Sequence, residues 1–182
     1  LCILMLLLAL AAPALAQTQV DEVRTQIGEN YVAYPQLSGM ADEAVQKKIN
    51  DDIVLSSGVA NHLVTLATLG DSPWGLKVDY RVALLEDGVF SAVINAQGKM
   101  PDGHEGQAYS ALTYDLSTGE RLTLDQLFED VDAAVAWMEA AAEESLGQEL
   151  NGYMEYSDLT PLPQEAFTLD ADGITFWYPS DQ

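Results

Sequence analysis

Leu76-Lys77-Val78-Asp79-Tyr80-Arg81-Val82-Ala83-Leu84-Leu85, followed by Glu86-Asp87-Gly88-Val89-Phe90, is the stretch that decides the fold. Leu76, Val78, Tyr80, Val82 and Leu84 share one parity; Lys77, Asp79 and Arg81 share the other. Successive side chains of a strand point to opposite faces, so this alternation predicts a half-buried strand. Asp87-Gly88 supplies two residues that tolerate positive φ, and Val89 to Ala96 reads as a second strand. An Asp-Gly between two such runs predicts a β-hairpin. Residues 97–106 read as a loop or long turn. Ala108 to Leu116 reads as a third strand.

Upstream, residues 17–30 are polar and read as a lead-in. Tyr31, Val32 and Tyr34 predict a strand stopped by Pro35. Leu37, Met40, Ala41, Ala44, Val45, Ile49 and Ile53 then recur at spacings of three and four, which predicts an amphipathic helix. Ser38 is its expected N-cap. The helix is expected to continue, with a break near Gly58, towards Leu69, where Gly70-Asp71-Ser72-Pro73 ends it.

Downstream, Thr123 with Gln126 forms a capping box, and Leu122 with Leu127 a hydrophobic staple, at the start of a short helix through Phe128. Asp130 caps a second helix with Val131, Ala134, Val135, Met138, Ala141, Ala142 and Leu146 as its apolar stripe and Gly147 at its C′ position. Residues 150–165 read as a loop. Ala166–Leu169 and Ile174–Tyr178 read as short strands about a turn at Asp172-Gly173. Strands and helices come in segregated blocks, which predicts an α+β fold: an antiparallel sheet with two or three helices packed on it.

The 182 residues carry 7 Lys and Arg against 29 Asp and Glu, for a net charge of -22. So acidic a chain repels phosphate, which excludes nucleic acid as a partner. The apolar share of 48% is ordinary for a folded domain, which excludes general disorder. Residues 1–16 are uncharged and mostly apolar and end in Ala14-Leu15-Ala16, a small-x-small cleavage pattern. They read as a signal peptide shortened at its start. The run is shorter than the ~20 apolar residues of a spanning helix, so cleavage is preferred to anchoring. The mature chain, 17–182, is expected to form one exported, non-spanning domain. The single cysteine, Cys2, precedes the apolar run and leaves with it, so disulfides, Cys-ligated zinc and thiol catalysis are excluded.

Few residues suggest chemistry. Asp102, His104 and Glu105 sit together in the glycine-rich stretch and would suit a metal ion or acid–base work; a solvated loop is the blander reading. His62 has only Asn61 as a polar neighbour. Asp170-Ala171-Asp172-Gly173 opens like a calcium loop, but Ile174 and Asp181 fall where further ligands belong. A hairpin turn explains it more simply. Neither a nucleophile elbow nor a phosphate-binding glycine pattern is present. Tyr153 and Tyr156, with Trp177 and Tyr178, are aromatic groups suited to lining a saccharide or peptide site, against the commoner use of aromatics in packing. No cofactor and no metal are expected.

Three segments together resemble a known family. They are Tyr34-Pro35-Gln36-Leu37-Ser38-Gly39-Met40-Ala41 with Gln46-Lys47-Lys48-Ile49-Asn50, then Tyr114 through Phe128, then Phe167-Thr168-Leu169 with Asp172 through Tyr178. In this order they resemble the extracytoplasmic RsiV/PdaC-like domain of bacteria, over roughly residues 25–178. That domain occurs in lysozyme-sensing anti-sigma factors and beside polysaccharide deacetylases. The resemblance implies an α+β fold and no catalytic motif, so it transfers no site residues. It also implies that the chain stops short, since similar domains continue past the final aromatic strand. The expected function is a non-catalytic binding or sensor domain of the cell envelope, with peptidoglycan or a basic protein such as lysozyme as partner. The alternatives are a small envelope hydrolase using the 102–105 loop, or a structural domain without a ligand.

Overall fold

The computed structural model describes residues 17–69, 73–146 and 161–178. Along the chain lie β1 (Gln19–Ile27), β2 (Asn30–Ser38), α1 (Glu43–Ser56), α2 (Val59–Leu69), β3 (Gly75–Glu86), β4 (Val89–Lys99) and β5 (Glu105–Asp115). A 3-10 turn (Leu124–Gln126), α3 (Val131–Leu146), β6 (Phe167–Asp170) and β7 (Gly173–Phe176) come next. The fold is α+β. A five-stranded sheet runs in the order β1-β2-β3-β4-β5, and β6-β7 form a separate hairpin. All neighbours in the large sheet are antiparallel except β2 and β3, which pair in parallel only at Tyr31–Lys77 and Val32–Val78. Parallel neighbours need a long crossover, and α1 with α2 provides it.

The β3–β4 hairpin forms as its sequence predicts. Asp87 and Gly88 have φ of 51° and 79°, the pair of positive values that a type I′ turn demands. One detail differs. A bulge at Ala83 shifts the register between Val82 and Leu84. It flips the parity of the last residues of β3, so Leu85 rather than Leu84 packs towards the main core. Val82 is left 36% exposed.

Other expectations are corrected. Residues 19–27 form a strand rather than a lead-in. β1 is an edge strand and largely exposed, so it has no apolar alternation to betray it. Pro35 does not stop β2. The two-residue turn makes Ile27–Asn30 the hydrogen-bonded pair, so Pro35, opposite Glu22, falls on a non-bonded pair and owes β1 no N–H. Leu37 belongs to β2, and Met40 and Ala41 precede the helix. The cap of α1 is Asp42, not Ser38; its side chain accepts from the amides of Ala44 and Val45. The break before α2 falls at Gly58, whose φ is 78°. The predicted loop 97–106 narrows to a turn at 100–104, since the β4–β5 ladder continues to Lys99–Glu105. The capping box starts only a 3-10 turn, although Thr123 N–H does reach Gln126 Oε1 at 2.9 Å. Asp130 caps α3 as expected, accepting from Ala133 N–H at 3.0 Å. Residues 1–16 and Gly147 lie outside the described residues.

Two cores lie on opposite faces of the sheet. On one face, Ile49, Ile53, Val59 and Leu66 of the helices pack on Val32, Val78, Phe90, Ile94, Leu112 and Tyr114. On the other, Leu124, Leu162 and Phe167 gather with Val135 and Met138 of α3. The hairpin β6-β7 sits on that second face, over β3, β4 and β5. No single helix among the described residues is long and apolar enough to cross a membrane.

Candidate functional site

Register fixes which side chains share the second face. Pairing runs Arg81–Val93–Ala111, then Asp79–Asn95–Tyr109, then Lys77–Gln97–Gln107 across β3, β4 and β5. Successive rows lie about 7 Å apart along the strands. Among the described residues, the β6-β7 hairpin covers one end of this face; Val93 and Ala111 of the first row are buried, while Lys77, Asp79, Arg81 and Gln97 are exposed.

The hairpin is seated there by side chains. Asp170–Gly173 closes it, so Phe167 and Leu169 turn their backbone groups away from β7. Leu169 N–H donates to Ser91 Oγ at 2.9 Å, and Thr113 Oγ1 donates to Phe167 C=O at 3.0 Å. Ser91 and Thr113 meet at 2.9 Å. With Ser91 donating, each hydroxyl gives one hydrogen and takes one, and four buried polar groups are satisfied. Phe167 and Thr168, like Ser91, are wholly buried.

Trp177 leaves the end of β7 and lies at the rim of the open half. Its indole N–H donates to Thr168 Oγ1 at 3.0 Å, and its backbone N–H to Ala166 C=O at 2.8 Å. Both ends being held, the ring meets Tyr109 with centroids 4.9 Å apart at 42°. A hollow of about 210 Å³ opens at this pair, lined also by Asp79, Arg81, Val93 and Asn95. Asn95 Oδ1 accepts from Gln107 Nε2 at 2.9 Å, which fixes its amide. Asp79 accepts from the Tyr31 hydroxyl at 3.2 Å, and Arg24 stacks on the Tyr31 ring at 3.8 Å. Burial, then the Asp79 charge, pushes the Tyr31 phenol up from its ordinary value, so it stays a neutral donor. A second hollow of about 360 Å³ lies towards the β1–β2 turn, with Lys77, Gln97, Lys99 and Gln107 among its lining. An aromatic pair flanked by amides, a carboxylate and a guanidinium can take a sugar ring by stacking and its hydroxyls by hydrogen bonds.

No protein-family model and no curated protein sequence matches the chain. Solved structures do. A DUF3298 family member from Bacteroides fragilis superposes with a TM-score of 0.64 at 13% identity, covering 90% of this chain and 84% of that one. A DUF3298 family protein from Pseudomonas aeruginosa gives 0.58 at 14% identity, covering 90% and 82%. The chain has the DUF3298 fold. At such low identity the likeness speaks for architecture, and the site must be argued from its own residues.

Of the aromatic residues singled out in the sequence, Trp177 stands at this face, and half-buried Tyr178 follows it. Tyr153 and Tyr156 lie outside the described residues. Tyr109, Asp79, Arg81 and Asn95 are site residues that sequence reasoning misses; the outward parity of Lys77, Asp79 and Arg81 is their only sequence signal. The other candidates lie elsewhere. His104 Nδ1 meets Asp102 Oδ2 at 3.1 Å on an exposed hairpin tip, and Glu105 pairs with Lys99 at 3.5 Å. No cluster of three metal-binding side chains occurs among the described residues. Asp170 Oδ1 accepts from the amides of Asp172 and Gly173, at 2.9 and 3.0 Å, and so builds a turn between β6 and β7. His62 lies on the opposite face, where burial pulls its imidazole below the ordinary value.

Proposed function

We propose that the chain is an exported, non-catalytic binding or sensor domain of the bacterial cell envelope, and that the open face of its sheet takes a cell-wall glycan. The observation that carries this is the Tyr109–Trp177 pair, held in place by the Thr168 hydroxyl and opening on a hollow bordered by Asp79, Arg81 and Asn95. Two further points support it. Residues 1–16 read as an export signal, and three sequence segments resemble an extracytoplasmic domain. The non-catalytic reading rests on where the acid–base candidates stand: the His104–Asp102 pair is exposed and lines neither hollow, and Glu105, at the larger one, is paired with Lys99 away from that pair.

The test is retention on insoluble peptidoglycan at physiological and elevated salt. Stacking and short hydrogen bonds survive screening, so retention is expected to persist at high salt and to be lost in Trp177→Ala. Retention that vanishes with salt, or that ignores Trp177, contradicts the proposal.

The net charge of -22 favours a second reading, a cationic protein such as lysozyme steered onto the acidic surface. That attraction is expected to fall steeply with salt and to be indifferent to Trp177→Ala, which separates it from glycan binding in the same assay.

A further inference from the structure

Carboxylates outnumber cations 29 to 7 in this chain, so a cation without a carboxylate neighbour is the unusual case. Arg24, Lys47, Lys48, Lys99 and Arg121 each have a carboxylate within 4.0 Å. Lys77 and Arg81 have none among the described residues. Both are exposed, both lie on β3, and both fall on the parity that faces the open half of the sheet. Four residues of strand separate them by about 13 Å, further than one sugar ring is wide. Asp79 lies between them but is turned to the Tyr31 hydroxyl and to the Tyr80 amide, at 3.2 and 2.9 Å. Arg81 lines the hollow at Trp177, and Lys77 lines the larger one beyond it, where Glu105 is paired with Lys99 and Glu29 stands at the β1–β2 turn.

We infer that the ligand of this face is an acidic saccharide, with Lys77 and Arg81 receiving carboxylates on successive units while the Tyr109–Trp177 pair takes a ring. The inference rests on the glycan-binding reading and names the class of glycan. The rest of the molecule repels such a ligand, but at physiological ionic strength that repulsion is screened beyond about 8 Å. Charge-assisted contacts made at hydrogen-bond distance are screened far less, so the two local cations decide where an acidic glycan settles.

The experiment is calorimetric titration of the chain with a muramic-acid-containing tetrasaccharide and with the same tetrasaccharide after its carboxyls are converted to amides. Amidation is expected to weaken binding about tenfold, the scale of one or two charge-assisted contacts. A Lys77→Gln/Arg81→Gln double variant is expected to bind the acid and amide forms equally. Both positions are exposed, and circular dichroism checks the variant's fold. Equal binding of the two forms by the unaltered chain, with both weakened by Trp177→Ala, overturns the acidic-ligand assignment and leaves the glycan reading standing. Binding of neither form overturns both.

Discussion

His62 shows how one side chain couples this fold to pH. It lines an apolar hollow with Trp74, Leu76, Ala96 and Met100, and burial holds its imidazole below the usual value of about 6.5. In the unfolded chain it takes a proton near that value; in the folded chain it resists until the pH is lower. Between the two values the unfolded state binds more protons, so stability is full above the ordinary imidazole range and falls as the pH drops towards the folded value. Between pH 7.5 and 5, the urea midpoint is expected to fall more for the unaltered chain than for His62→Leu. Parallel pH profiles would contradict this. Legibility at this scale is uneven. Trp177 draws notice as one of the chain's 3 tryptophans, next to Tyr178. Its partner Tyr109 comes from a distant strand, and only the register of β4 with β5 brings Asn95 and Tyr109 to one row. No local pattern encodes such a meeting.

Elements are legible where burial is one-sided. The β3–β4 hairpin announces itself because its first strand has one wet face, and α1 because Ile49 and Ile53 repeat at helical spacing. β1 is silent because almost all of it is exposed. The helix start is misread because Leu37, buried in β2, and Met40, buried beyond its end, continue a three-and-four spacing by coincidence. Two strand edges are finished by side chains, which sequence reading does not foresee. On β2, Asn50 of α1 accepts from Leu37 N–H at 2.7 Å and donates to Leu37 C=O at 2.9 Å, doing the work of a neighbouring strand where β3 has diverged. On β6, Ser91 and Thr113 do the same. Ser91→Ala removes the acceptor of the Leu169 amide and is expected to cost about 1–3 kcal/mol. That loss belongs to the hairpin rather than to the large sheet. Hydrogen exchange is expected to speed up at β6 and β7 by roughly tenfold per 1.4 kcal/mol, with β3 and β4 retaining their protection. Equal loss throughout would mean that the hairpin and sheet open as one unit.

The whole molecule is a sheet with helices on one face and a small hairpin with α3 on part of the other. Among the described residues this layering leaves part of a face open, with Lys77, Arg81 and the aromatic pair on it together. The net charge of -22 repels anions over the rest of the surface, so the proposed acidic ligand is expected only where Lys77 and Arg81 stand. The fold class can be read from segregated strand and helix blocks. The open half-face cannot, because it depends on where a four-residue strand, β6, comes to rest. The most direct measurement is an amide-resolved NMR titration of the chain with soluble peptidoglycan fragments. The account predicts shifts confined to Lys77, Asp79, Arg81, Asn95, Tyr109 and Trp177 and their neighbours. Shifts centred on α1 and α2, or scattered over the acidic surface, would contradict it.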